Sequence, residues 1–237
     1  MEKILNINVD HVATLRQARL GKHPDPIEAC KIIKKTKAHG VVMHLREDRR
    51  HIQDNDLYRY KKSINLPLNL EMAPTTEMVL IANKIKPKMV TLVPEKRLEL
   101  TTEGGLNLKR NIKIINKIVN ALNSKIQVMI FIDSDREQIA LAKNLGIHGI
   151  EINTGKYTDA CGNQKNIELK KIKESAKFAH SLNLYLAAGH GLTIKNITKI
   201  AAIREINEFN IGHSVIGEAV FHGLYESVNK IYAKINK

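Results

Sequence analysis

The chain has 237 residues, 43% of them hydrophobic, which suits one large folded unit with a real core and excludes a disordered chain. Its net charge of +14 raises nucleic acid as a partner. The lysines are spread along the helical stretches, however, and aromatics at 4% offer few platforms for base stacking, so no nucleic-acid role is expected. Glu2, Asn6, Asn8 and Asp10 come too early for a signal-peptide apolar region, and no apolar run approaches membrane-spanning length. Cys30 and Cys161 are far apart and suggest neither a disulfide nor a zinc framework. A reduced, cytoplasmic setting without a membrane partner is therefore expected.

In chain order, short apolar runs alternate with helix-period segments. The predicted strands are Ile4–Val9, Val41–Leu45, Leu66–Met72, Met89–Val93, Ile126–Ile132, Gly149–Asn153, Leu184–Ala187 and Glu208–Ile211. Between them, Leu108, Ile112, Ile115, Val119 and Leu122 share one helical face, as do Leu169, Ile172, Ala176 and Ala179. Asp25-Pro26-Ile27-Glu28 combines an N-cap, a proline at the first helical position and a capping glutamate, and Ser134-Asp135-Arg136-Glu137 repeats the box. Alternating strands and helices imply a parallel sheet with right-handed crossovers. Eight such units without a linker point to a single (β/α)8 barrel over residues 1–237, with short additional helices. Neither the dinucleotide G-x-G-x-x-G fingerprint nor a P-loop is present to favour an open doubly wound sheet.

The active site of such a barrel lies at the C-terminal ends of its strands, and polar residues collect there. They are Asn8, Asp10 and His11 after strand 1, and His44, Arg46 and His51 after strand 2. Glu71 stands in strand 3, while strand 4 runs into Pro94-Glu95-Lys96-Arg97 and then Thr101 to Gly105. Strand 5 ends at Asp133, strand 6 holds Glu151 and Asn153, and strands 7 and 8 end in Gly189-His190-Gly191 and Gly212-His213. Asp133 before Ser134 reads first as a helix start, and Glu47, Asp48 and Arg49 as a set pairing in solvent. Glu71, inside the apolar frame LPLNLEMA, needs a partner or a job. Either burial lifts its pKa into the range of a general base, or it pairs with a nearby arginine. Glu151 follows the same logic. The glycines beside His190 and His213 let backbone N–H groups approach an anion, and the helix after Gly212 adds its positive end. Arg16 and Arg19, with Arg46 and His51, are candidates for a second anion. Two anion sites suggest a substrate with two phosphates, or two substrates with one each.

With these residues in hand, the chain resembles the pyridoxine 5′-phosphate synthase family of vitamin B6 biosynthesis. The resemblance runs from about Asn6 to Gly223 through NVDHVATLRQAR, VVMHLREDRRHI, NLEMA, LVPEKRLELTTEGGL, IEINTG, AGHGLT and NIGHSVIG. It implies a (β/α)8 barrel that assembles as a homo-octamer and uses no metal or organic cofactor. The implied transferase-class reaction condenses 1-deoxy-D-xylulose 5-phosphate with 3-amino-2-oxopropyl phosphate, giving pyridoxine 5′-phosphate, phosphate and water. By the same resemblance His44 and Glu71 are general bases, His190 a general acid, and Glu151 a stabiliser of transition-state charge. Asp10, His11, Arg46, His51 and Thr101 would contact the sugar phosphate, and Asn8, Arg19, Gly191, Gly212 and His213 the aminoketone phosphate. Ala187 and Asn153 depart from the family, which often has asparagine and histidine there. The stretch 156–165 is the least similar and reads as a loop. Two other readings compete. One is a metal-dependent barrel hydrolase with His44, His51, Glu71 and His190 as ligands. The other is a Schiff-base aldolase, for which Lys96 and Lys156 fall in loops instead of at strand ends.

Overall fold

The computed structural model describes residues 2–95 and 104–237. Strand β1 (Ile4–Asn8) leads into α1 (Asp10–Gln17) and an extra helix, α2 (Pro26–Ile33), before β2 (Gly40–Leu45). The alternation continues through α3 (Asp54–Ser63), β3 (Leu68–Met72), α4 (Thr76–Ile85), β4 (Met89–Leu92), α5 (Leu108–Ala121), β5 (Gln127–Ile132), α6 (Arg136–Asn144) and β6 (Gly149–Asn153). Two helices then follow in succession, α7 (Gly155–Asp159) and α8 (Gly162–Ser181). The chain closes with β7 (Tyr185–Gly189), α9 (Thr198–Ala201), β8 (Glu208–Ile211), α10 (His213–His222) and α11 (Leu224–Ile235). Each strand pairs in parallel with the next, and β8 returns to β1, so the sheet is a closed eight-stranded barrel. This is the (β/α)8 architecture expected from the alternating pattern. Among the described residues no helix is long and apolar enough to cross a membrane.

Side chains alternate along each strand. One set, including Leu5, Ile7, Met43, Leu70, Ile130 and Ile152, packs against the helices in the main core. The other set fills the barrel with an unusual share of polar groups. Asn6 donates to Asn210 at 3.0 Å, Thr91 to Asn69 at 2.9 Å and Asn210 to the Glu151 carboxylate at 2.7 Å. Met89, Met129 and Ala187 form a small apolar cluster of their own. A barrel interior lined by amides and carboxyls leads upward into the site.

The helix starts follow capping chemistry with one shift. Asp25 caps α2 by accepting from Ile27 N, with Pro26 at the first position. For α6 the cap is Asp135, which accepts from Glu137 N and Gln138 N. The box predicted one residue earlier, and the helix start predicted for Asp133, are both corrected. Two carboxylates compete for one helix end, and the nearer wins because Asp133 is engaged elsewhere. The loop predicted over 156–165 is also corrected, since α7 and the start of α8 occupy it. Tyr157 anchors this stretch: it is buried, donates its hydroxyl to Asn196 O, and lies under Lys165 Nζ at 4.9 Å.

Candidate active site

At the exit of β1, Asn8 and Asp10 lock together. Asn8 donates to one Asp10 oxygen at 2.8 Å and accepts from the Asp10 backbone N–H at 2.8 Å. The other Asp10 oxygen accepts from His44 N at 2.8 Å, so this buried carboxylate ties β1 to the end of β2. His44 and Glu71 are register partners on β2 and β3, and His44 Nδ1 stands 3.9 Å from the Glu71 carboxylate. That gap is too long for a hydrogen bond. Burial, then the nearby Glu151 and Asp10 carboxylates, raise the Glu71 pKa well above the usual carboxyl range. No arginine pairs with Glu71 among the described residues, so the ion-pair alternative for it is not what the fold provides.

The charge-rich exit of β2 is sorted by geometry. Arg46, only 3% exposed, donates to Asp48 at 3.2 and 3.3 Å, and Arg50 donates to the same carboxylate at 2.7 Å. Burial would raise Asp48, but hydrogen bonds from Arg50 and Arg46 outweigh it and hold it far below its ordinary value. Arg49 turns away to Asp54 and Glu77. Ion pairing was expected here, with different partners. Arg16 corrects another expectation. It makes a buried two-pronged contact to Asp56 at 2.8 and 2.9 Å and donates to His51 O at 2.9 Å, so it shapes the His51 loop instead of waiting for an anion. His51 itself accepts from Ile52 N through Nδ1. Burial lowers its pKa, and His44 and Arg46 push the same way against Asp10. Both favour the neutral ring, and with Nδ1 accepting from Ile52 N that ring carries its proton on Nε2, a hydrogen-bond donor.

On the far strands, burial lifts Glu151 to about 8, opposed by the hydrogen bond from Asn210 and reinforced by the Glu208 charge. Gly189 makes room for it, because a Cβ there would stand 2.1 Å from a Glu151 oxygen. His190 has a left-handed backbone, φ 75°, which is costly for a residue with a side chain. Thr154 Oγ1 donates to the carbonyls of Gly189 and His190 at 2.8 and 2.5 Å and helps hold that turn. Gly191 follows at φ 72°, with Thr158 packed where a Cβ would be. Helix α10 starts at His213 with no side chain capping it, which leaves its first N–H groups for a ligand. The His213 ring meets His11 edge-on at 4.7 Å. Burial, then His213, lower the His11 pKa despite Asp10.

The strand-end groups among these line one cavity of about 630 Å³, from Asn8 and His44 to Glu151, His190 and His213. The family described as Pyridoxal phosphate biosynthesis protein PdxJ matches residues 5–237 of this chain. A pyridoxine 5′-phosphate synthase of Sulfurihydrogenibium sp. is 50% identical over 231 residues, covering 96% of this chain and 95% of the relative. Another, of Prochlorococcus marinus, is 48% identical over 232 residues, covering 98% of each. The chain belongs to the PdxJ family. Among solved structures, phosphoribosyl anthranilate isomerase from Thermotoga maritima aligns with a TM-score of 0.64 at 15% identity, covering 99% of this chain and 98% of that one. That likeness speaks for the barrel alone.

Within this PdxJ-family chain, the cavity gathers twelve of the expected residues: Asn8, Asp10, His11, His44, Arg46, His51, Glu71, Glu151, His190, Gly191, Gly212 and His213. Arg19 lies on an exposed turn after α1 and does not line the cavity. Thr101 and Lys96 lie outside the described residues. Asn153, a family departure, donates to Asp133 at 3.0 Å and accepts from Gly155 N at 2.9 Å. Asp133 also accepts from Gly105 N at 3.0 Å and Lys156 Nζ at 2.7 Å, so it joins three loops. Ala187, the other departure, packs with Met89 and Met129 inside the barrel.

Three residues near the chemistry were given no role from sequence. Arg50 and Asn210 line the cavity, and Glu95 stands behind His44, bonded to its Nε2 at 2.8 Å. The strand-end rule places Glu95 after β4, but nothing in the sequence links it to His44, 51 residues away. Among the described residues one set is close enough for a metal ion, Asp10, His44 and His51. It shares only two members with the four ligands of the hydrolase reading. Its His51 offers a proton on Nε2 where a metal needs a lone pair.

Proposed function

We propose that this chain carries out the pyridoxine 5′-phosphate synthase reaction as a transferase-class enzyme: it condenses 1-deoxy-D-xylulose 5-phosphate with 3-amino-2-oxopropyl phosphate and releases phosphate and water. The observation that carries this reading is one cavity lined by Arg46, His51, Gly191 and Gly212 around His44, Glu71, Glu151 and His190. Arg46 and His51, with Asp10, His11 and Thr101, serve the sugar phosphate. The backbone at Gly191 and Gly212, the open start of α10, Asn8 and His213 serve the aminoketone phosphate, whereas Arg19 reaches it only if its exposed turn moves toward the cavity. Joining an amine to a ketone and then expelling water and phosphate needs repeated proton transfers near neutral pH. His44 and Glu71 take protons, His190 gives one, and Glu151 steadies developing charge. A raised carboxyl pKa at Glu71 and Glu151 supports this, because such groups exchange protons where ordinary carboxyls stay ionised. The reading includes a cytoplasmic homo-octamer working without metal or organic cofactor.

Purified protein mixed with both substrates is expected to yield pyridoxine 5′-phosphate, identified by mass, and to yield none when either substrate is omitted. Absence of product with both present, in protein that binds both phosphates, would overturn the reading.

A further inference from the structure

His44 stands between two carboxyls of opposite character. On one side, Glu95 Oε1 lies 2.8 Å from His44 Nε2, while its Oε2 accepts from Glu47 N at 2.9 Å. Both Glu95 oxygens are thus occupied, and the side chain is 6% exposed and off the cavity wall. On the other side, Glu71 faces Nδ1 across 3.9 Å, from within the cavity. The two environments differ by arrangement. Burial alone would raise Glu95, but the hydrogen bond and charge of His44, the Glu47 N–H and Arg46 together bring it below its ordinary value. Glu71 has no such donors and is raised by burial and by like charges.

An ionised carboxylate can only accept. In its neutral form the imidazole facing Glu95 therefore carries its proton on Nε2, which leaves the lone pair on Nδ1, toward Glu71 and the cavity. The backbone is fixed by the same logic, since His44 N donates to Asp10 at 2.8 Å. We infer that Glu95 is a positioning residue that sets the tautomer and aim of His44, so that Nδ1 is the atom that takes a proton from bound substrate. Glu95 does not line the cavity. It acts through His44, as a buried carboxylate does behind the histidine of an acid–base pair. The inference rests on the function proposed above for its kinetic consequence, but not for its structural one.

The test combines two readouts on protein labelled with nitrogen-15 in its histidines. In the substrate-free parent, His44 is expected to show a protonated, hydrogen-bonded Nε2 and an unprotonated Nδ1. In Glu95→Gln, whose amide can donate as well as accept, that preference is expected to weaken or reverse. Single-turnover formation of pyridoxine 5′-phosphate should fall by roughly ten- to a thousandfold with substrate affinities changed less than about threefold. Glu95→Asp, which keeps the charge, is expected to retain the parent tautomer and recover part of the rate. An Nδ1–H tautomer in the parent would overturn the inference without any variant being made. So would an unchanged tautomer and rate in Glu95→Gln. If the parent makes no product, the proposed reaction fails, while the nitrogen-15 spectra still decide the role of Glu95.

Discussion

Glu71 sits in an apolar strand with no cationic partner among the described residues, and its raised pKa comes from burial and neighbouring carboxylates. Glu71→Gln keeps the size and one acceptor oxygen but takes no proton at neutral pH. Both phosphates should still bind, and single-turnover rates should fall by about two or more orders of magnitude. A variant that binds poorly but turns over near the parent rate would reassign Glu71 to structure. Glu151 allows a stability test, because its folded pKa of about 8 lies above the ordinary 4.5. Between those values the unfolded chain has released this proton while the folded chain keeps it. Stability from this group is therefore fully present below about pH 4.5 and falls as pH rises toward 8. Glu151→Gln removes that slope. Its melting temperature relative to the parent should climb from pH 5 to pH 8, and a constant difference would show that Glu151 is not held protonated. His190, in the left-handed region beside Gly191, should lose roughly a hundredfold or more in turnover as His190→Ala while its melting temperature holds.

At the level of elements, the loop after β2 depends on α1 and α3. Arg16 grips Asp56 at the start of α3 and the carbonyl of His51, with both ion-pair partners buried. Removing one partner leaves the other charge buried and unpaired, so Arg16→Ala should cost about 3–5 kcal/mol in denaturant unfolding. A cost under about 1 kcal/mol would mean water replaces the arginine. The periodic and capping signals of these elements were readable in sequence: the strands came within two residues of their observed bounds, and Asp25 caps α2 as expected. What stayed hidden were long-range partnerships. Arg16 and Asp56 are 40 residues apart, and His44 and Glu95 are 51. Local pattern says where a charge sits along a strand or helix, not which distant charge the fold brings to it. Asp133 and Arg16 were misread for that reason.

For the whole molecule, the closed barrel is what turns scattered strand ends into one site. Its strand order makes His44 and Glu71 neighbours and brings Glu151, His190 and the start of α10 to the same mouth. The candidate site was legible because eight parallel strands must end on one face. The positions of Arg19, off the cavity, and of Glu95, behind His44, needed the folded chain. The central claim is that these acid–base groups close a ring between two phosphorylated substrates, with phosphate lost as part of that chemistry and not by hydrolysis. The most direct measurement follows inorganic phosphate and pyridoxine 5′-phosphate together during one reaction. The two are expected to appear in step, one phosphate per ring, and only when both substrates are present. Phosphate released from either substrate alone, or in excess of the ring product, would contradict the claim and return the barrel to a hydrolytic role.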